Sequence, residues 1–106
     1  MPSYQDVLNI FKDYLDTDPD MDVVITRHAC AVMLWDPVCQ RYTSTVTCRN
    51  GKELFDQLLN SHENYWNYKI LTSPPQISKK DIQNQQLTYL TLYNKLHCAK
   101  KTEPMR

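Results

Sequence analysis

Apolar positions recur along this chain with two different periods, and the change of period divides it into elements. Tyr4, Val7, Leu8, Phe11, Tyr14 and Leu15 return every three or four residues, which predicts an amphipathic helix over about residues 3 to 16. Ser3 and Asp6 have the spacing of a capping box at its start. Pro19, between Asp18 and Asp20, ends it.

From Val23 to Trp35 the helical stripe disappears. This stretch is rich in Val and Ala and has no Gly or Pro, so it reads as a long strand, bent near Arg27 and His28. Asp36 to Gln40 supplies a connection, and Arg41 to Cys48 alternates as a half-buried returning strand. On the first strand Val24, His28, Cys30, Val32 and Leu34 share one face. Val23, Ile25, Ala29, Ala31, Met33 and Trp35 share the other. Both faces are apolar, so both call for a cover.

Asn50 and Glu53 signal a second helix, about residues 51 to 70. Leu54, Phe55, Leu58, Leu59, His62, Tyr65, Trp66 and Ile70 fall in its apolar arc. Pro74 and Pro75 stop it. Ser78 and Asp81 repeat the cap signature and open a third helix over about residues 79 to 99. Leu87, Leu90 and Cys98 widen its apolar arc beyond the row of Ile82, Tyr89, Leu92, Tyr93 and Leu96. A strand over Leu87 to Tyr93 competes with this reading, but the cap and the lack of breakers favour helix.

The expected fold class is therefore α+β: one small domain over residues 1 to 106, in the order α-β-β-α-α, with an antiparallel β-hairpin packed against helices. Residues 100 to 106 read as a frayed tail. Two strands are marginal alone, and a second copy pairing along the hairpin edge would extend the sheet.

Composition removes several function classes. The chain has 106 residues and a single glycine, Gly51. No glycine-rich phosphate loop and no G-x-S-x-G nucleophile elbow can be built from it. Net charge is zero, so no whole-chain field attracts nucleic acid or an anionic membrane. Charge is segregated nonetheless. Residues 1 to 22 carry six aspartates against Lys12, and residues 79 to 106 carry six cations against Asp81 and Glu103. The amphipathic start is not a signal peptide, and no apolar run is long enough for a membrane span. A cytoplasmic setting with reduced thiols is expected.

The candidate chemistry is sparse. Asp16, Asp18, Asp20 and Asp22 alternate like the start of a calcium loop, but Met21 stands where the sharp turn needs Gly, and Arg27 where the clamp needs Glu. A solvated acidic turn accounts for the same residues. His28, Cys30, Cys48 and Cys98 are a conceivable zinc cluster without knuckle spacing. A Cys30 or Cys48 nucleophile with His28 or His62 as base lacks any local signature, and His62 sits mid-arc, where a satisfied core histidine is the plainer reading. No cofactor is expected.

The leading expectation is a non-catalytic protein-interaction or regulatory module that self-associates. Met33, Trp35, Leu87, Leu90 and Tyr93 are its interface residues, and its partner is a second copy or another protein. The alternative is a nucleic-acid-associated factor using Lys95, Lys100, Lys101 and Arg106, with Tyr68 stacking on bases. A thiol, zinc-binding or small enzymatic protein comes third.

Overall fold

The computed structural model describes residues 2–72 and 78–101, with side chains described as far as Cys98. The chain runs α1 (Tyr4–Ile10), α2 (Lys12–Thr17), β1 (Met21–Ile25), β2 (Cys30–Asp36), β3 (Arg41–Cys48), α3 (Gly51–Thr72) and α4 (Lys79–Lys101). The α+β class and the antiparallel arrangement stand. Pro74 and Pro75 lie outside the described residues, as does the expected tail of residues 100 to 106 apart from Lys100 and Lys101, which continue α4 instead.

All three cap signals form. Ser3 and Asp6 exchange side-chain and backbone bonds in a reciprocal box. Ser78 and Asp81 do the same at α4, and the Asn50 side-chain oxygen accepts from the Glu53 N–H at α3. The first helix is bent into α1 and α2 at Phe11, whose ψ of 14° interrupts the regular ladder. Phe11 itself is fully buried, its ring against Phe55 and Tyr89.

The long strand is two strands. It divides at the anticipated bend, and the chain reverses there, giving a three-stranded sheet in the order β1-β2-β3. Thr26 makes the turn: its hydroxyl accepts from the His28 and Ala29 N–H groups and donates to the Ala29 carbonyl. Reversal changes which residues share a face. Val23 pairs with Val32, and Val32 with Val46, so odd positions of β1 join even positions of β2. Val23 therefore sits with Cys30 and Val32 toward the helices, and Val24 sits with Ala31 and Met33 on the other side, correcting the continuous-strand assignment.

The helices cover one face of this sheet. Val7, Phe11, Tyr14, Leu54, Phe55, Leu58, Tyr89 and Tyr93 meet Cys30, Val32 and Cys48 in the core. α3 packs on β2 and β3, while α4 packs on α1 and α3. Gly51 opens α3 against the chain start, where a Cβ would lie 2.0 Å from the Pro2 carbonyl oxygen. α3 has 22 residues and α4 has 23, so each is about 33–35 Å long. The longest strand has 8 residues and spans about 27 Å. The helices overhang the sheet, and the radius of gyration is 15.1 Å against about 13 Å for a compact chain of this length.

Candidate functional site

Two surfaces stand out once the core is accounted for. The first is the outer face of the sheet. It carries Val24 from β1, Ala31, Met33 and Trp35 from β2, and Tyr42, Thr45 and Thr47 from β3, in the observed register. A bulge between Leu34 and Trp35 leaves Thr43 without an opposite residue and sets Trp35 across from Tyr42. Their rings meet edge to face at 5.0 Å. The Tyr42 hydroxyl donates to Asp22 at 2.6 Å, and that bond pushes the phenol pKa up. Val24 is 45% exposed and Tyr42 41%, and Ala31, Met33 and Trp35 are half-buried by their own sheet neighbours.

The expected interface residues divide between surface and core. Met33 and Trp35 lie on the outer sheet face. Leu87 and Leu90 are exposed on α4, which belongs to the helical layer, so they are not continuous with that face. Tyr93 is a correction: it is buried, its ring 4.4 Å from Phe55. α1 and α3 both pack on α4 with Ile82, Tyr89 and Tyr93 turned inward, while Leu87, Leu90 and Cys98, which widen its apolar arc, stay exposed.

Cys30 and Cys48 face each other across the β2–β3 ladder, both buried. His28 lies exposed in the β1–β2 turn, and Cys98 is exposed on α4. Among the described residues no group of three or more His, Cys, Asp or Glu side chains is placed to hold a metal ion. Burial, with Cys48 adding to it, pushes the Cys30 thiol up to about 11, and burial raises Cys48 as well. Both are held as thiols, the weaker nucleophilic form. Asp36 raises the exposed Cys39 thiol through a hydrogen bond.

His62 is fully buried and satisfied. Gln85 accepts at its Nε2, 2.8 Å away, and Gln86 donates to its Nδ1 at 3.4 Å. That pairing selects the neutral Nε2–H tautomer, and desolvation lowers its pKa. Tyr14 and Tyr89 approach the ring edge-on, and Tyr89 donates to the Asp13 carboxylate at 2.9 Å.

The second surface escaped the sequence reading. A cleft of about 410 Å³ opens between the α2–β1 turn, the helix-facing side of the sheet and the stretch of α3 from Gln57 to Lys69. Gln57, Asn60, Ser61, Asn64 and Tyr68 present one wall at helical spacing, and Met21, Val32, Leu34 and Ser44 the other. Its floor holds Tyr14 and Asp18. Asp18 is 5% exposed, and the Tyr14 hydroxyl and the Asp20 N–H each donate to one of its oxygens. The alternating acids thus form a side-chain-stabilised turn. No single segment marks this site, because its walls come from residues far apart in sequence.

The basic segment is partly visible. Lys79, Lys80 and Lys95 are exposed, and Tyr68 is 65% exposed on the cleft rim. The side chains of Lys100 and Lys101, and all of Arg106, lie outside the described residues. No helix among the described residues is long and apolar enough to cross a membrane. Compared with known proteins, the chain matches no family model, no curated protein and no solved structure.

Proposed function

We propose that this protein is a non-catalytic cytoplasmic interaction module that pairs reversibly with a second copy of itself. The observation that supports this is the uncovered outer face of the sheet, with Val24, Met33, Trp35 and Tyr42 on it. Sheets of this kind bury such faces by stacking about 10 Å apart. The face is suited to a twofold partner: its bulky end, Trp35 and Tyr42, and its small end, Ala31 and Thr47, would exchange places across the axis.

Area sets the strength. Three strands spaced about 4.8 Å apart offer a footprint of about 300 Å², well short of the roughly 800 Å² per partner in a stable complex. The association belongs to the weak class. Sedimentation velocity over a micromolar-to-millimolar dilution series tests it. The expected result is a mass rising toward the dimer, lost in Thr45→Arg, which places a charge on an exposed position of the face. A monomer at every concentration overturns the reading.

The nucleic-acid reading makes a different prediction for the same instrument. Binding of a labelled oligonucleotide through α4 lysines would weaken steeply with salt, whereas stacking of apolar sheet faces is largely insensitive to it.

A further inference from the structure

The cleft holds a buried carboxyl group, Asp18, that makes no ion pair among the described residues. Asp18 is 95% removed from solvent by its 5% exposure, and a buried carboxylate is normally paired with a cation. Its two hydrogen bonds come from neutral groups, the Tyr14 hydroxyl at 2.8 Å and the Asp20 N–H at 3.1 Å. A carboxylate offers about four acceptor positions, so acceptor capacity remains. The ion pairs among the described residues are Arg49–Glu53 and Lys52–Asp56, neither of them in this cleft.

The walls supply the other half of a cation site. Tyr14, Tyr65 and Tyr68 all line the cleft, and the face of a tyrosine ring attracts ammonium groups. Lys69 is the one cation among the lining residues, and its Nζ already stands 5.5 Å from the Tyr65 ring centroid. An ammonium thus already occupies this ring, which also meets Tyr14 and Trp66 edge-on. Beyond the charge, the Asn60 and Asn64 amides can meet polar groups of a ligand, and Met21 and Leu34 an aliphatic portion.

We propose that this cleft binds a small organic cation, an amine or quaternary ammonium compound, whose charge sits between the Asp18 carboxylate and the Tyr65 ring and displaces Lys69 from that ring. The volume of about 410 Å³ lies within the range of small-molecule sites, about 300–1,000 Å³. The proposal is independent of self-association, which uses the opposite face of the sheet.

The test is an NMR titration of the full chain with choline, putrescine and phenylethylamine, each followed at the backbone amides of Asn64, Tyr65 and Tyr68. Dimethylbutanol, the uncharged carbon isostere of choline, is the control. At least one amine is expected to shift these amides saturably while the isostere does not. Asp18→Asn is expected to weaken binding about tenfold, the size of a hydrogen-bonded charge contact. Lys69→Ala removes the competing ammonium and is expected to tighten binding. The proposal is overturned by silence from all three amines, by equal shifts from the isostere, or by unchanged affinity in Asp18→Asn. If Asp18→Asn does not fold, the isostere comparison and the exposed Lys69→Ala variant decide alone, and unchanged affinity in Lys69→Ala then counts against the proposal.

Discussion

Individual side chains carry two consequences that can be measured. His62 is buried neutral, and desolvation holds its pKa below the usual value near 6.5. The unfolded chain therefore binds the extra proton first as pH falls. Stability from this group is complete above the unfolded pKa and is lost as pH drops through and below it. Urea midpoints measured between pH 7.5 and 5, values chosen to bracket the free imidazole, are expected to fall, and His62→Leu should flatten that slope. Gly51 gives the second case. Alanine there would ordinarily favour a helix by about 1 kcal/mol, yet its Cβ would lie 2.0 Å from the Pro2 carbonyl oxygen. Gly51→Ala is expected to destabilise by about 1–3 kcal/mol, as overpacking does, read as a lower denaturation midpoint.

Elements were legible where their ends are written in side chains. Ser3–Asp6, Asn50–Glu53 and Ser78–Asp81 each form the predicted cap, because a capping bond needs only residues three apart. Ser78→Ala should therefore cost about 1 kcal/mol, measured by chemical denaturation, with the first loss of helicity at the start of α4. The division of the long strand was legible as a bend but not as a reversal. Thr26 makes that turn with its hydroxyl, and no Gly, Pro, Asn or Asp marks it. Once the chain reverses, the alternation of β1 changes face, and a correct list of apolar residues is distributed wrongly between core and exterior. Tyr93 was misplaced for a related reason: an apolar arc does not show which of its residues meet a neighbour, and those that broaden it on α4, Leu87 and Leu90, face solvent.

The cleft belongs to the whole molecule and had no signature in any one segment. Its walls are Gln57 to Tyr68 on α3, Met21 and Leu34 on the sheet, and Asp18 after α2, and only the register of β1, β2 and β3 brings them together. The same scale shows where protection from exchange should differ. Leu54, Phe55 and Leu58 sit in the core, whereas Tyr68 and Leu71 are 65% and 85% exposed where α3 runs past the sheet. Hydrogen exchange is expected to be slow over residues 54 to 62 and fast over 68 to 72, since opening free energy follows local burial.

The opening helices are held from a long way down the chain. The Tyr4 hydroxyl donates to the Cys48 carbonyl 44 positions later, and Tyr89 reaches Asp13 across 76. Such distant ties carry a high loop-closure cost and form late. During synthesis residues 4 to 17 must therefore wait, unsettled, until Tyr89 has emerged. A nascent chain halted before Tyr89 should be cut readily by protease, and one that includes all of α4 should resist.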